Sequence, residues 1–327
     1  MNRRLHIEQK SWPLKEPFVI SRATQTTADV IVVRLESGKH AGRGEAVGVG
    51  YHGETLETMR TQIESVRKDI QAGIGRRELL TLLPAGGARN AVDSALWDLE
   101  AKITGVTVWR RAGVEPAKPV ATTVTIGIRS PDAYERAARA LADHPWLKVK
   151  VSNDRPLDAI AAVRRGSPHT RLVVDPNQSW SVALLNSLAR DLYELRVDLL
   201  EQPVAAGADA ALASIQYPIP LCADEAADTA EDLPRLVGRY DFVNIKLDKT
   251  GGLTAALDFA HAARAAGLRL MAGCMVGGSI AMAPSMVLAQ LCEIADLDGP
   301  VLQAEDWPGG IVYTRGIMSV PPAAFWG

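Results

Sequence analysis

Between residues 171 and 225 the chain reads Arg171-Leu172-Val173-Val174-Asp175-Pro176-Asn177, then Asp198-Leu199-Leu200-Glu201-Gln202-Pro203, then Pro220-Leu221-Cys222-Ala223-Asp224-Glu225. Each segment is a short apolar run that stops on a carboxylate, and Leu/Ala-rich stretches of helical period separate them. That alternation predicts βα units around a parallel sheet. Outward from here the rhythm continues, with strands expected at 122–126, 147–151, 242–247 and 268–273. Helices are expected at 132–142, 157–165, 182–195, 208–214, 254–266 and 280–292, and Ser130-Pro131 has the form of a helix start. The cadence is that of a (β/α) barrel rather than an open sheet.

Residues 1–118 break this pattern. A strand is expected at 30–35, helices at 54–70 and 88–102, and Gly42-Arg43-Gly44-Glu45 reads as a turn. The chain therefore divides into an α+β capping domain, 1–118, and a catalytic barrel, 119–303. The Gly-, Pro- and Trp-rich tail, 304–327, is expected to return to the cap.

Bulk properties exclude several classes. A formal net charge of -2 offers no basic field for nucleic acid. Cys222, Cys274 and Cys292 are too few and too scattered for a disulfide framework. Residues 1–10 do not read as a signal peptide. Residues 270–292 carry no charge, but Gly277-Gly278 and Pro284 interrupt them, so a buried strand and a core helix fit better than a membrane span. A cytoplasmic enzyme with no membrane or nucleic-acid partner is expected.

In a (β/α) barrel the C-terminal strand ends build the active site. Three successive strands deliver Asp175, Glu201 and Asp224 to that rim, 26 and 23 residues apart. Clustered carboxylates repel unless a cation neutralises them, and hard oxygen ligands suit Mg²⁺, with Mn²⁺ as the alternative. Lys148 and Lys150 alternate with apolar residues on the second strand, and Lys246 lies in the sixth. Strands two and six face each other across a barrel. Lysines there, desolvated and close to a cation, are expected to have lowered pKa values and to act as bases. Two bases on opposite sides of one carbon are what epimerisation requires.

These residues carry a resemblance. Lys148-Val149-Lys150, Asp175-Pro176-Asn177, Glu201-Gln202-Pro203, Ala223-Asp224-Glu225 and the run from Asn244 through Lys246 to Gly252 resemble the muconate-lactonizing subgroup of the enolase superfamily. So does the segment Arg89-Asn90-Ala91-Val92-Asp93-Ser94-Ala95-Leu96-Trp97-Asp98-Leu99. The resemblance spans essentially the whole chain. It implies a (β/α)7β modified TIM barrel with a cap, metal ligation by Asp175, Glu201 and Asp224, and acid/base roles for Lys150 and Lys246. Lys148 would support an enediolate, chemistry for which this superfamily is a known example. Asn177, Glu225 and Asp248 would support the ligands.

The segment Ala295-Asp296-Leu297-Asp298-Gly299-Pro300 resembles the Asp-x-Asp of dipeptide epimerases, which holds a dipeptide's free ammonium. Asp296 and Asp298 are expected to share a face of a short eighth strand. With Gly273-Cys274-Met275, the likeness is to L-Ala-D/L-Glu epimerases, which implies murein peptide metabolism. Arg22 would reach an acidic second residue, and Thr125 is a further expected substrate contact. A small-molecule dipeptide and self-association into a homo-oligomer are the expected partners.

Departures leave the dipeptide open. Val276-Gly277-Gly278-Ser279 supplies little side-chain specificity, and the glycine-rich loop 48–54, with His52, has no assigned part. The alternatives are a cycloisomerase, an o-succinylbenzoate synthase or an N-acylamino-acid racemase. A catalytically silent barrel is opposed by the complete lysine and carboxylate set. No nucleotide-binding glycine motif is present, and Ser179 and Ser279 have no triad partners that the sequence can place.

Overall fold

The computed structural model describes residues 3–21 and 23–327. Three antiparallel strands open the chain: β1 (Arg4–Ile20), β2 (Ala23–Ser37) and β3 (His40–Ala46). β1 and β2 form a long hairpin, from Arg4 opposite Glu36 to Ile20 opposite Ala23, with an irregularity between Pro13 and Phe18. The expected strand at 30–35 is only the buried half of β2. Its outer half, polar from Thr24 to Thr27, carries no apolar signal and extends over the barrel mouth.

Gly42-Arg43-Gly44-Glu45 is strand, not turn. The glycines are there for close packing: a Cβ on Gly42 would lie 2.3 Å from Ala95 O, and one on Gly44 would lie 2.1 Å from Ala91 O. They let β3 press against the helix Gly87–Thr104, buried along most of its length. The expected helix at 54–70 is two, Leu56–Ser65 and Arg67–Ala72, broken at Val66. Glu54 precedes them because its carboxylate turns back to accept from Val49 N and Gly87 N.

After the two-residue strand β4 (Val120–Ala121), eight parallel strands follow in sequential order: β5 (Thr123–Ile126), β6 (Trp146–Lys150), β7 (Arg171–Asp175), β8 (Leu199–Glu201), β9 (Leu221–Ala223), β10 (Phe242–Lys246), β11 (Arg269–Gly273) and β12 (Ile294–Asp296). A parallel bridge between Thr122 and Ala295 joins first to last, so the fold is the (β/α)7β barrel with an α+β cap. The connection at 206–214 is a 3-10 helix rather than an α-helix. The uncharged run at 270–292 resolves into β11 and the buried helix Ser279–Ala289. Among the described residues no helix is long and apolar enough to cross a membrane.

Alternation along the strands builds the interior in layers. Trp146, Val173, Leu199, Cys222, Phe242, Met271 and Ile294 pack together as an apolar plug, with Ala121 against it. Two residues further along the same inward face come Lys148, Asp175, Glu201, Asp224, Asn244, Gly273 and Asp296, with Thr123 from β5. The next step brings Thr125, Lys150 and Lys246. The polar site is thus the upward continuation of the core.

Cap and barrel are joined by buried carboxylates. Asp93 accepts from Thr254 N at 3.0 Å and Thr254 Oγ1 at 2.6 Å, while Asp248 accepts from Val47 N and Gly48 N, each at 3.0 Å. The tail meets the cap where Trp326 Nε1 donates to Arg43 O and Gly327 N to Asp98. Asp93→Ala should strand two buried donors of Thr254 and cost about 3 kcal/mol. Thermal melting should register this as a midpoint several degrees lower, and an unchanged midpoint would show that water replaces the carboxylate freely.

Candidate active site

Above the plug, four ammonium groups interleave with carboxylates. Lys148 Nζ lies 2.6 Å from Glu201 Oε2, 2.8 Å from Asp296 Oδ2 and 3.1 Å from Asp175 Oδ2. Lys150 Nζ donates to Asp175 Oδ2 at 2.5 Å. Across the barrel, Lys246 Nζ donates to Asp224 Oδ2 and Lys249 Nζ to Asp224 Oδ1, both at 2.7 Å. Every one of these side chains is buried.

The electrostatics follow from that interleaving. Burial alone would raise each acid. Lys150 and Lys148 outweigh it at Asp175, and Lys246, Lys249 and Lys148 outweigh it at Asp224, so both fall below the usual carboxylate range. At Glu201 burial wins over Lys148, and its pKa rises to about 7. The lowered lysine pKa values expected beside a cation are not what the carboxylates by themselves produce. Burial pulls Lys148 and Lys246 down, but the surrounding carboxylates more than reverse this, and both are raised.

Several supporting residues escaped the sequence reading. Asn244 Nδ2 donates to Glu201 Oε1 at 2.9 Å, and Gln202 Oε1 accepts from Asp224 N and Ala226 N. Asn244 had a signal, a polar residue two before Lys246 inside an apolar strand. Lys249 lies past the strand in the single-turn α-helix Leu247–Thr250, so alternation could not assign it. Gly273 leaves room for Asn244, whose Oδ1 would be 2.3 Å from a Cβ there.

The remaining expected residues divide. Asn177 N donates to Asp175 Oδ1 at 2.8 Å. β12 ends at Asp296, and Asp298 lies beyond it at the start of the turn Gly299–Leu302, so the two do not share a strand face. Asp296 accepts from Thr123 Oγ1 as well as from Lys148, whereas Asp298 accepts from Thr125 N at 2.7 Å. Burial and the neighbouring Asp296 raise Asp298 to about 7. Asp248, expected near the ligands, instead holds the cap loop. Arg22 lies outside the described residues.

A cavity of about 660 Å³ opens where the cap meets the barrel. Lys150, Asn177, Asp224, Glu225 and Lys246 line it from below, and Phe18, Ile20, Gly48, Tyr51 and Val276 are among the residues around it. Asp296 and Asp298 are not in its wall. β6 and β10 are four strands apart in the order of eight, so Lys150 and Lys246 approach from opposite sides.

The donor set fits a hard cation. Asp175, Glu201 and Asp224 offer only oxygen, and Glu201 Oε2, although close to Lys148 Nζ, accepts no well-directed hydrogen bond. Among the described residues no three such side chains converge tightly enough to cage an ion as they stand, because the ammonium groups lie between them.

Two family descriptions match the chain: the mandelate racemase / muconate lactonizing enzyme N-terminal domain over residues 2–113, and the enolase C-terminal domain-like family over residues 132–323. The chain belongs to the enolase superfamily. This enolase-superfamily chain is 41% identical to the L-Ala-D/L-Glu epimerase of Escherichia coli K12, over 96% of this chain and 98% of that one. It is 39% identical to an N-acetyl-D-glutamate racemase of a Pseudoalteromonas species, over 91% and 95%. A crystal structure of an enolase family member from Agrobacterium tumefaciens, with homology to dipeptide epimerases and bound sodium and L-Ala-L-Glu, superposes with a TM-score of 0.97. That protein is 40% identical, and the match covers 99% of this chain and 100% of the other. The superfamily member described here is an isomerase of the racemase and epimerase kind.

Proposed function

We propose that this isomerase inverts the α-carbon of the second residue of a dipeptide, with L-Ala-D/L-Glu as the preferred kind. The observation that carries the reading is that Lys150 and Lys246 reach one cavity from opposite sides of the barrel. One lysine removes the α-proton from one face, and the other returns a proton to the opposite face. The proton lost by the substrate remains on the first lysine, so the cycle ends with the two lysines in exchanged protonation states. Lys148 contributes a buried positive charge towards an enediolate. Asp175, Glu201 and Asp224 would hold a divalent cation, Mg²⁺ from their hard oxygen chemistry, and the ion would supply positive charge for the substrate carboxylate. Asp298, a close neighbour of the cavity-wall residue Cys274, is the acidic group for the dipeptide's ammonium. In this reading Arg22 is the residue proposed to pair with an acidic second side chain, and Thr125 N holds Asp298.

A second reading has support from the Pseudoalteromonas relative, whose named substrate class carries an N-acyl group in place of a free ammonium. Incubation with Mg²⁺ in D₂O separates the two. The dipeptide reading expects α-proton exchange at the second residue of L-Ala-L-Glu, followed by NMR, and little exchange with N-acetyl-glutamate. Faster exchange of the N-acyl substrate would reverse the assignment.

A further inference from the structure

Glu45 is fully buried in the cap, far in sequence from every residue of the proposed chemistry. Its Oε1 accepts from Gly278 N at 2.6 Å and from Trp12 Nε1 at 3.2 Å, and its Oε2 accepts from Trp307 Nε1. Four separate segments therefore meet on one carboxylate: β1, β3, the loop after β11, and the tail. An ionised carboxylate accepts only, and all three partners donate.

The loop it grips forms part of the cavity wall. Cys274, Met275 and Val276 line the cavity, and Val276 packs with Trp12, Val47 and Trp307. Gly277 and Gly278 now have a structural reason. A Cβ on Gly278 would lie 3.1 Å from Glu45 Oε1, from Asp306 Oδ1 and from Trp307 Cδ1. On the other side of the loop, Gly277 O would be 2.6 Å from a Cβ on Gly299, the residue after Asp298. The backbone at 277–278 is thus pressed between the cap carboxylate and the turn that carries Asp298.

This contact is one of several that join cap and barrel. Asp248 and Asp93 already join them, and Asp306 separately fixes the helix start by accepting from Ser279 N at 2.8 Å. What Glu45 alone reaches among these is Gly278 N, next to the Met275–Val276 wall. We propose that Glu45 is a positioning residue for substrate selection: through Gly278 it sets the Met275–Val276 wall and the adjoining Asp298 turn, without touching substrate. The inference rests on the dipeptide reading.

Gly278→Ala is the direct test, since its Cβ, 3.1 Å from Glu45 Oε1, crowds the contact at a φ of -81° that alanine adopts freely. Glu45→Gln is the second variant, because its amide nitrogen must face one of three N–H donors and a contact is lost. Steady-state kinetics with L-Ala-L-Glu and L-Ala-L-Ala should show, in both variants, a KM for L-Ala-L-Glu raised at least about fivefold with kcat within about twofold. The preference between the two dipeptides should shift by a similar factor. A merely structural role would lower the melting temperature and leave KM and preference unchanged, and that result would overturn the proposal. If Glu45→Gln fails to fold, Gly278→Ala decides alone, since it keeps the buried carboxylate and its two indole donors. Wild-type protein that exchanges no dipeptide removes the dipeptide reading and this inference with it. A discriminating wild type with unaltered variants removes only the inference.

Discussion

Lys246→Ala is expected to lower epimerisation by at least about a thousandfold while leaving deuterium exchange intact in one epimer of the dipeptide only. With one lysine gone, Lys150 still removes and returns a proton on its own face, but nothing on the other face can complete the inversion. Lys150→Ala should show the mirror result, with exchange confined to the opposite epimer. Neither substitution orphans a buried carboxylate: Asp224 keeps Lys249 at 2.7 Å, and Asp175 keeps Lys148 at 3.1 Å. The folded state should therefore survive, and the rate loss can be read as chemistry. Equal exchange from both epimers in either variant would falsify the two-base assignment.

Chelation should have an effect of similar size. EDTA is expected to reduce turnover of L-Ala-L-Glu by about three orders of magnitude, equivalent to about 4 kcal/mol of lost transition-state stabilisation. Added Mg²⁺ should restore it, and should also raise the melting temperature, because an ion bound only by the folded state stabilises it by mass action. Glu201→Gln should blunt both responses, since Glu201 Oε2 is a buried carboxylate oxygen that accepts no well-directed hydrogen bond. Full activity in EDTA would mean that the four ammonium groups stabilise the reacting carboxylate without help.

Much of this was legible because strand alternation is local. Once the apolar runs around Asp175, Glu201 and Asp224 were read as barrel strands, a period of two put Lys148, Lys150 and Lys246 on the same inward face, and neighbouring strands are neighbours in sequence. The helix at Gly87–Thr104 and the buried strand and helix at 270–292 were likewise marked by apolar composition.

What depended on distant segments meeting was not legible. Gly42 and Gly44 look like a turn until the helix packed against them is seen. The outer part of β2, Thr24 to Thr27, is polar and is held by pairing with β1. Asp298 falls just past the end of β12, a boundary of a residue or two that composition cannot fix. Lys148 and Lys246 are raised because the number and distance of surrounding carboxylates, not burial alone, set the sign. Lys249 on Asp224 and Glu45 on Gly278 are pairings between the ends of two neighbouring strands and across the cap–barrel interface. Sequence by itself determined the barrel, its inward face and the chemical groups on it, since these follow from periodicity along single strands. Tertiary structure decided which charge meets which, and which backbone the cap grips, because those contacts exist only once remote parts of the chain are folded together.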